Sequence, residues 1–421
     1  SVFDEQRYFS AGTNFSLFRI NGALMGVTIC EDIWEPRGPV ATQARAGAVL
    51  NININGSPFH SGKLQEREEM LRTRATDNKC AIVYVNQVGG QDELVFDGSS
   101  MVFAADGTLL SRSAQFESGL TVVEINIDAP QVATVAPISD RYAEMYGALV
   151  LGTRDYVRKN RFTDVVIGLS GGIDSSIVAA VAVDALGAEH VHGVAMPSRY
   201  SSPGSITDAE LLARNLDIDI ETVSIEPAFS AYLDALAPSF ADRHADLTEE
   251  NLQSRVRGTT LMALSNKFGW MVLTTGNKSE IAVGYFTLYG DSVGGYAVIK
   301  DLFKTKVYEI CSYFNQQSGR DLIPDSIVSK APSAELRPDQ RDDQSLPPYE
   351  VLDPILKLYV EDDLTAQQII EVGYDTALVK RITRLVDMNE YKRRQGAPGV
   401  RISTKAFGKD RRLPITNKFS G

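Results

Sequence analysis

Leu169-Ser170-Gly171-Gly172-Ile173-Asp174-Ser175-Ser176 decides how this chain is read. Before it, residues 164–169 form a short apolar run with the length of a buried strand. After it, residues 173–186 form an apolar stretch of helical length closed by Gly187. Two adjacent glycines between strand and helix let the backbone turn tightly and approach a ligand, and the N–H groups of the first helical turn face any anion placed there. The loop fits neither the dinucleotide G-x-G-x-x-G pattern nor G-x-x-x-x-G-K-[ST]. Asp174 is the informative departure, because a carboxylate beside phosphates repels them unless a cation such as Mg²⁺ lies between. The plainer reading is a helix capped by Ser170, with glycines that only close the turn.

Working outward, the pattern around this loop is an α/β alternation. Helices are expected at 143–159, 173–186, 207–216 and 249–267, and strands at 164–169, 190–195, 218–225 and 270–273. That alternation implies a parallel sheet covered by helices on both faces. Residues 1–127 read differently, as strand-rich sequence. Strands at 15–20 and 24–29 are joined by the Asn21-Gly22 hairpin signal. A third at 49–54 alternates with period two, a helix follows from Lys63 to about Asp77, and a strand follows at 81–85. Residues 128–142, with two prolines and no period, are the linker.

The composition of the 421 residues is that of a folded globular chain, 43% hydrophobic and 23% charged. No run approaches the roughly 18 consecutive apolar residues of a membrane span. Three cysteines, Cys30, Cys80 and Cys311, form no disulfide framework and no metal-ligand spacing, which points to a reducing, cytoplasmic setting. Charge is uneven: residues 380–421 carry 12 Lys and Arg against 3 acids, on a chain of net charge −12. A basic end invites a nucleic-acid reading, but aromatics are sparse there and the body is strongly acidic. The expectation is a tail that pairs with the body or with another subunit, or holds a small anion, with no nucleic-acid or membrane partner.

Downstream, Thr274-Thr275-Gly276-Asn277-Lys278-Ser279-Glu280 follows the strand at 270–273, at the carboxyl edge where ligands bind such sheets. Glu280 is a candidate second Mg²⁺ ligand; Lys304 and Lys330 are candidate phosphate partners, or else solvated surface charges. The segment Ser170–Ser175 resembles the pyrophosphate loop of enzymes that cut ATP between its α and β phosphates. Five further stretches extend the likeness: 250–258, Thr275–Glu280, Tyr289-Gly290-Asp291-Ser292, 330–340 and Asn389-Glu390-Tyr391-Lys392-Arg393-Arg394. Together they resemble the glutamine-dependent NAD synthetases over nearly the whole chain. The resemblance implies a nitrilase-like αββα sandwich, incomplete at its front, over 1–127. It implies a doubly wound parallel-sheet domain of the adenine-nucleotide hydrolase-like, pyrophosphate-loop type over 143–421. It also implies amidation of nicotinic acid adenine dinucleotide to NAD, through an acyl-adenylate, with release of AMP and pyrophosphate. ATP would be bound by Gly168, Leu169, Ser170, Gly171, Gly172, Ile173, Asp174, Ser175 and Thr275, with Lys304 and Ser333 on phosphates. Asp174 and Glu280 would hold Mg²⁺, and Asn251, Glu280, Asp291 and Lys392 the dinucleotide. Asn251 and Arg255, one helical turn apart, share a face. A homodimer or higher homo-oligomer is implied by analogy.

In the front part, Gly26-Val27-Thr28-Ile29-Cys30-Glu31-Asp32-Ile33-Trp34 resembles the nucleophile motif of the family's amidase domain, with Cys30 at a strand end. A thiolate attacks an amide carbonyl and forms a thioester that water cleaves, which needs a base and a cationic neighbour. The family carries that glutamate and lysine before its Val-Phe-Asp-Glu segment, which here is Val2-Phe3-Asp4-Glu5. The expectation is therefore an amidase domain whose front lies upstream, and the alternative is a synthetase that uses ammonia alone. Ser57 and Lys63 match positions that hold glutamine. Cys80 and Cys311 read as core thiols, and His60, His190, His192 and His244 as ordinary loop or strand residues.

Overall fold

The computed structural model describes residues 7–10, 12, 14–241 and 243–416. The Val2–Glu5 segment and Lys418 of the basic tail lie outside the described residues. Contacts divide the chain into two units, residues 1–90 with 94–148 and residues 91–93 with 149–421.

The first unit opens on strands β1 (Leu17–Ile20) and β2 (Ala23–Ile29), paired antiparallel as the sequence predicts. Asn21 and Gly22 both take positive φ, 49° and 85°, as a tight hairpin turn demands. Then follow helix α1 (Pro39–Arg45), β3 (Leu50–Asn55), helix α2 (Lys63–Asn78), β4 (Ala81–Asn86), β5 (Val88–Gln91), β6 (Leu94–Asp97), β7 (Met101–Phe103) and β8 (Leu109–Arg112). Six strands form one sheet in the order β1-β2-β3-β4-β7-β8, with β2, β3 and β4 parallel; β5 and β6 pair separately. Both helices cover one face, where Val40, Leu64 and Leu71 meet Ile82, Tyr84, Met101 and Phe103. These residues supply one helix layer and one sheet layer of the expected sandwich. On the other face Ile29, Ile54 and Val85 are exposed.

The alternation in β3 points in an unexpected direction. Its asparagines, Asn51, Asn53 and Asn55, are the buried residues, and its isoleucines face the other side. The physical reason is a local polar ladder. Thr28 Oγ1 donates to Asn51 Oδ1 (2.8 Å), Asn53 Nδ2 donates to Thr28 Oγ1 (2.9 Å), and Asn51 Nδ2 donates to Gln43 Oε1 on α1 (2.8 Å). Paired in this way, buried amides avoid most of the desolvation penalty.

Helix α3 (Arg141–Lys159) contains the division between the units. The second unit then runs β9 (Val165–Gly168), α4 (Ile173–Leu186), β10 (Val191–Ala195), α5 (Pro203–Leu216), β11 (Asp219–Thr222), α6 (Glu226–Phe240), α7 (Leu247–Phe268), β12 (Met271–Thr274), α8 (Lys278–Val283) and β13 (Tyr296–Ala297). The five strands are all parallel, in the order β11-β10-β9-β12-β13. From β9 the chain winds outward through β10 and β11, then returns to β9's other side at β12. The loop after β9 therefore sits at the switch point, where a crevice opens. Leu261 of α7 packs on Val166, Val194 and Val272 from one face. The alternate residues Val165 and Ile167 are equally buried and point to the other face, as strand geometry requires. Helix α4 is buried nearly all round, which explains its continuous apolar sequence.

Among the described residues six further α-helices follow: α9 (Lys304–Ser318), α10 (Asp325–Val328), α11 (Tyr349–Leu356), α12 (Ala366–Val372), α13 (Thr376–Met388) and α14 (Glu390–Arg393). Leu352, Ile355, Ile369, Val379, Ile382 and Val386 form a second core, into which Ala282 and Val283 of α8 are packed. Much of the basic tail is engaged with the body of this unit. Arg393 donates to the Ala282 carbonyl (2.8 Å), Arg381 to the Ser345 carbonyl (2.6 Å) and Arg411 to the Tyr359 carbonyl (2.9 Å), and Lys405 pairs with Asp363. Among the described residues no helix is long and apolar enough to cross a membrane.

Candidate functional site

The loop after β9 is shaped by backbone geometry. Leu169 N donates to Val194 O (2.9 Å), which extends the β9–β10 pairing into the loop. Gly171 then takes φ +72°, and a methyl group there would lie 2.2 Å from the Ser205 carbonyl oxygen. Gly172, rather than Ser170, is the N-cap of α4, and no side chain caps the helix. Ser170 Oγ instead accepts from Gly172 N (3.3 Å), while Ser175 and Ser176 donate back to the Gly172 carbonyl (3.0 and 2.8 Å). The first-turn N–H groups after Ile173 are thus left without a side-chain cap, the arrangement of an anion site. Lys330 donates to the Gly171 carbonyl (3.3 Å) and to Ser205 Oγ (3.2 Å), and pairs with Asp208, so it braces the loop from behind.

Asp174, in the first turn of α4, faces two other elements. Asn277 Nδ2 donates to its Oδ1 (3.1 Å), and Lys304 Nζ donates to its Oδ2. Glu280 lies 3.6 Å from the same ammonium, so two carboxylates from α4 and α8 share one lysine from α9. The Lys304 side chain is only 3% exposed. Burial works to lower its pKa, but Asp174 and Glu280 outweigh burial and hold it above the ordinary lysine value. Burial, reinforced by Asp174 and partly offset by Lys304, pushes the Glu280 carboxyl above its ordinary range.

Glu280 is held by a capping box. Asn277 Oδ1 accepts from Glu280 N (3.0 Å) and Glu280 Oε2 accepts from Asn277 N (3.4 Å). The Asn-x-x-Glu spacing was therefore a legible signal for Asn277. Asp342 carried none. It enters from a distant loop, accepts from Tyr285 (3.3 Å) and Tyr349 (3.0 Å), and is raised by burial beside Lys304. Thr275 is half-buried at the carboxyl end of β12. Ser333 Oγ donates to the Gln340 carbonyl (2.6 Å), within its own loop.

Among the described residues no three His, Cys, Asp or Glu side chains are arranged to hold a metal ion. Asp174 and Glu280 are a pair already gathered around a cation. That donor set suits Mg²⁺, which takes one or two carboxylates and completes its shell with water and phosphate oxygens.

The remaining candidates form a second cluster in the same unit. Thr287 Oγ1 donates to Asn251 Oδ1 (2.7 Å), and Arg255 Nε donates to the Leu288 carbonyl (3.2 Å). The face that Asn251 and Arg255 share on α7 thus meets a single loop. In that loop Asp291 accepts from Thr287 N (2.8 Å) and Ser254 Oγ (2.9 Å), and burial raises its carboxyl. Lys392 donates to the Gly284 and Phe286 carbonyls (2.9 and 3.0 Å). Burial lowers its ammonium, and Asp291 offsets part of that.

In the first unit Cys30 stands where β2 ends and a single tight turn (Cys30–Ile33) begins. Its φ is +48°, a conformation that a non-glycine residue adopts only when its surroundings enforce it. Asp32 accepts from Ile29 N (2.9 Å), and Arg74 donates to the carbonyls of Ile33 and Trp34 (2.9 and 2.8 Å), which fixes the turn. The Lys63 ammonium lies 4.2 Å over the Trp34 ring and 2.8 Å from Glu66. Ser57 is buried, and its N–H donates to Asn86 Oδ1 (2.9 Å). Tyr84, raised to about 12 by burial, is close enough to Arg67, Ser57 and Cys30 to feel each of them. Ser57 and Cys30 thus both lie near Tyr84, while Lys63 packs over Trp34, four residues after Cys30. Cys80 and Cys311 are buried thiols pushed up by burial, Cys80 to about 12. His190 and His192 share Asp164 at 3.4 and 3.1 Å.

Two families match the chain: carbon-nitrogen hydrolase over residues 1–133 and NAD synthase over residues 145–396. Glutamine-dependent NAD(+) synthetase of Thermotoga maritima is 49% identical, covering 99% of this chain and 79% of that protein. The enzyme of the same name from Acinetobacter baylyi is 47% identical over 99% of this chain and 77% of its own length. The solved structure of glutamine-dependent NAD+ synthetase from Acinetobacter baumannii, in complex with ADP, superposes with a TM-score of 0.77. It is 44% identical and covers 100% of this chain and 78% of its own. With both domains matched and this degree of identity along nearly its whole length, the chain belongs to the glutamine-dependent NAD(+) synthetase family.

Proposed function

We infer that this enzyme amidates nicotinic acid adenine dinucleotide to NAD at the expense of ATP, with ammonia drawn from glutamine. The observation that carries the reading is the meeting of Asp174, Glu280 and Lys304 at the mouth of an uncapped Gly171-Gly172 loop. The ammonia-only alternative is less favoured, because the glutamine-dependent relatives match across both domains.

The chemistry follows from a poor leaving group. A carboxylate resists attack by ammonia, so the nicotinate carboxylate oxygen first attacks the α-phosphorus of ATP and pyrophosphate departs. Ammonia then attacks the acyl carbon of the adenylate, AMP leaves, and the nitrogen sheds a proton. The loop residues 168–175 with Thr275 would bind ATP, their N–H groups meeting phosphate oxygens. Lys304 would turn from Asp174 toward the phosphates, and Ser333 would join it from its loop. Mg²⁺, held by Asp174 and Glu280, would offset phosphate charge. Asn251, Glu280, Asp291 and Lys392 would hold the dinucleotide. We assign the synthetase domain to residues 143–421 and the amidase domain to residues 1–127, with 128–142 between them; the first turns of α3, through Ala148, group by contact with the first unit. In the amidase domain Cys30 would attack the glutamine amide to give a thioester and ammonia, while Ser57 and Lys63 hold the amino acid. A homodimer or higher homo-oligomer in the cytoplasm belongs to the same reading, and sedimentation checks the assembly.

The test supplies ATP, Mg²⁺ and nicotinic acid adenine dinucleotide with ammonium or glutamine and measures NAD, AMP and pyrophosphate. NAD and AMP in equal amounts are expected. A folded protein that forms NAD from neither nitrogen source would overturn the assignment.

A further inference from the structure

A buried polar chain in the first unit joins the two residues read as glutamine ligands, and it ends on an acid to which the reaction gives no task. Glu144, in the first turn of α3, is 3% exposed. Its Oε2 accepts from Gly62 N (3.1 Å) and its Oε1 from Gln115 Nε2 (3.3 Å). Gly62 is the N-cap of α2 at φ +86°, has no side-chain cap bond, and immediately precedes Lys63. Gln115 Nε2 also reaches Asp97 Oδ2 (3.4 Å), and Asp97 takes both its oxygens to Arg67 Nη2 (2.5 and 2.6 Å). Arg67 and Asp97 are wholly buried. Arg67 Nη1 and Asn86 Nδ2 both donate to the Gly98 carbonyl (3.3 and 2.9 Å), and Asn86 Oδ1 accepts from Ser57 N. The chain therefore runs from Lys63's turn to Ser57's backbone.

Stability alone is a weak reason for such a chain. Asp97 alone pairs with the Arg67 guanidinium, Glu144 is left with the uncharged Gly62 N–H and Gln115 amide, and burial raises the Glu144 carboxyl above its ordinary range. Arg67 Nε and Gln115 Oε1 are buried without a hydrogen-bond partner among the described residues. Apolar side chains of the same size would commonly be at least as stabilising. What an apolar core cannot do is fix a glycine N–H and a serine N–H in relation to each other.

We propose that Glu144 is a positioning residue for glutamine: it holds the Gly62 turn that presents Lys63 and, through Gln115, Asp97, Arg67 and Asn86, sets that turn against Ser57. The inference rests on Ser57 and Lys63 as the glutamine-holding residues. The experiment compares NAD formation driven by glutamine with that driven by ammonium in wild type, Glu144→Ala, Glu144→Gln and Lys63→Ala. Loss of a charge-assisted bond to the turn should raise the glutamine KM of Glu144→Ala about tenfold and leave ammonium-driven synthesis unchanged. Glu144→Gln keeps an acceptor for Gly62 N and should recover most of the loss. An unchanged glutamine KM in Glu144→Ala, or a parallel fall in both routes, overturns the proposal. Should Glu144→Ala fail to fold, Gln115→Leu cuts the same chain and is read by the same KM. If Lys63→Ala leaves glutamine use untouched, the glutamine reading itself fails. If Lys63→Ala weakens glutamine and Glu144→Ala does not, only the present proposal fails.

Discussion

A methyl group at position 171 would meet the Ser205 carbonyl at 2.2 Å on a backbone already in the left-handed region. Gly171→Ala must therefore move either the loop or the first turn of α5. A displacement of about 1 Å at such a site commonly costs on the order of a hundredfold in rate. The expected outcome is that loss in NAD formation with both ammonium and glutamine, measured by steady-state kinetics on protein whose circular dichroism is unchanged. Several single-residue placements were readable in advance. Gly171, Gly172 and Asp174 stand in a contiguous motif, and Asn277 and Glu280 are separated by capping-box spacing. Asp342 was not, because its place beside Tyr285 and Tyr349 comes from a loop far along the chain.

At the scale of elements, one carboxylate sets two helices. Asp353 on α11 accepts from Ser279 Oγ in the first turn of α8 and from Thr305 N (2.9 Å) in the first turn of α9. Ser279 Oγ in turn accepts from Lys304 N (2.9 Å), so Glu280 and Lys304 are placed together. Burial raises the Asp353 carboxyl above its usual range. The folded protein then keeps that proton more tightly than the unfolded chain. This contribution to stability declines as pH rises from about 3.9 through the raised folded value. Asp353→Asn should flatten the dependence over that window in urea unfolding at pH 4 to 7, and an identical pH profile would refute the assignment. Lys278 is the other anchor of α8, fully buried between Asp301 (2.8 Å) and Glu361 (2.6 Å) and bonded to Ser403 Oγ. Lys278→Met removes the ammonium from buried Asp301 and half-buried Glu361 and should cost about 3 kcal/mol by the same unfolding measurement. Periodicity predicted α4, α7 and the β9–β12 strands closely. It said nothing of the α11–α13 cluster, whose members are held by packing around Leu352 and Ile382.

Across the whole molecule, the two family matches fall largely in two units, and the mutations that test one proposed chemistry in each follow from that division. Asp174→Ala should abolish NAD formation with either nitrogen source, whereas Cys30→Ala should abolish only the glutamine-driven route, with ammonium-driven rates within about twofold of wild type. Paired assays in both nitrogen sources decide this, and loss of ammonium use in Cys30→Ala would contradict the division of labour. Sequence by itself determined the α/β order, the hairpin at Asn21-Gly22, the strand–loop–helix placement of Asp174 and the strand-end placement of Cys30. Each of these depends on neighbours within a few residues, through turn conformation, capping and periodicity. Tertiary structure alone decided that the asparagines of β3 turn inward, that Lys304 stands between Asp174 and Glu280, and that Glu144 reaches the Gly62 turn. Those outcomes depend on the partners available to a buried polar group, and its partners are chosen by the fold across tens to more than a hundred residues of chain.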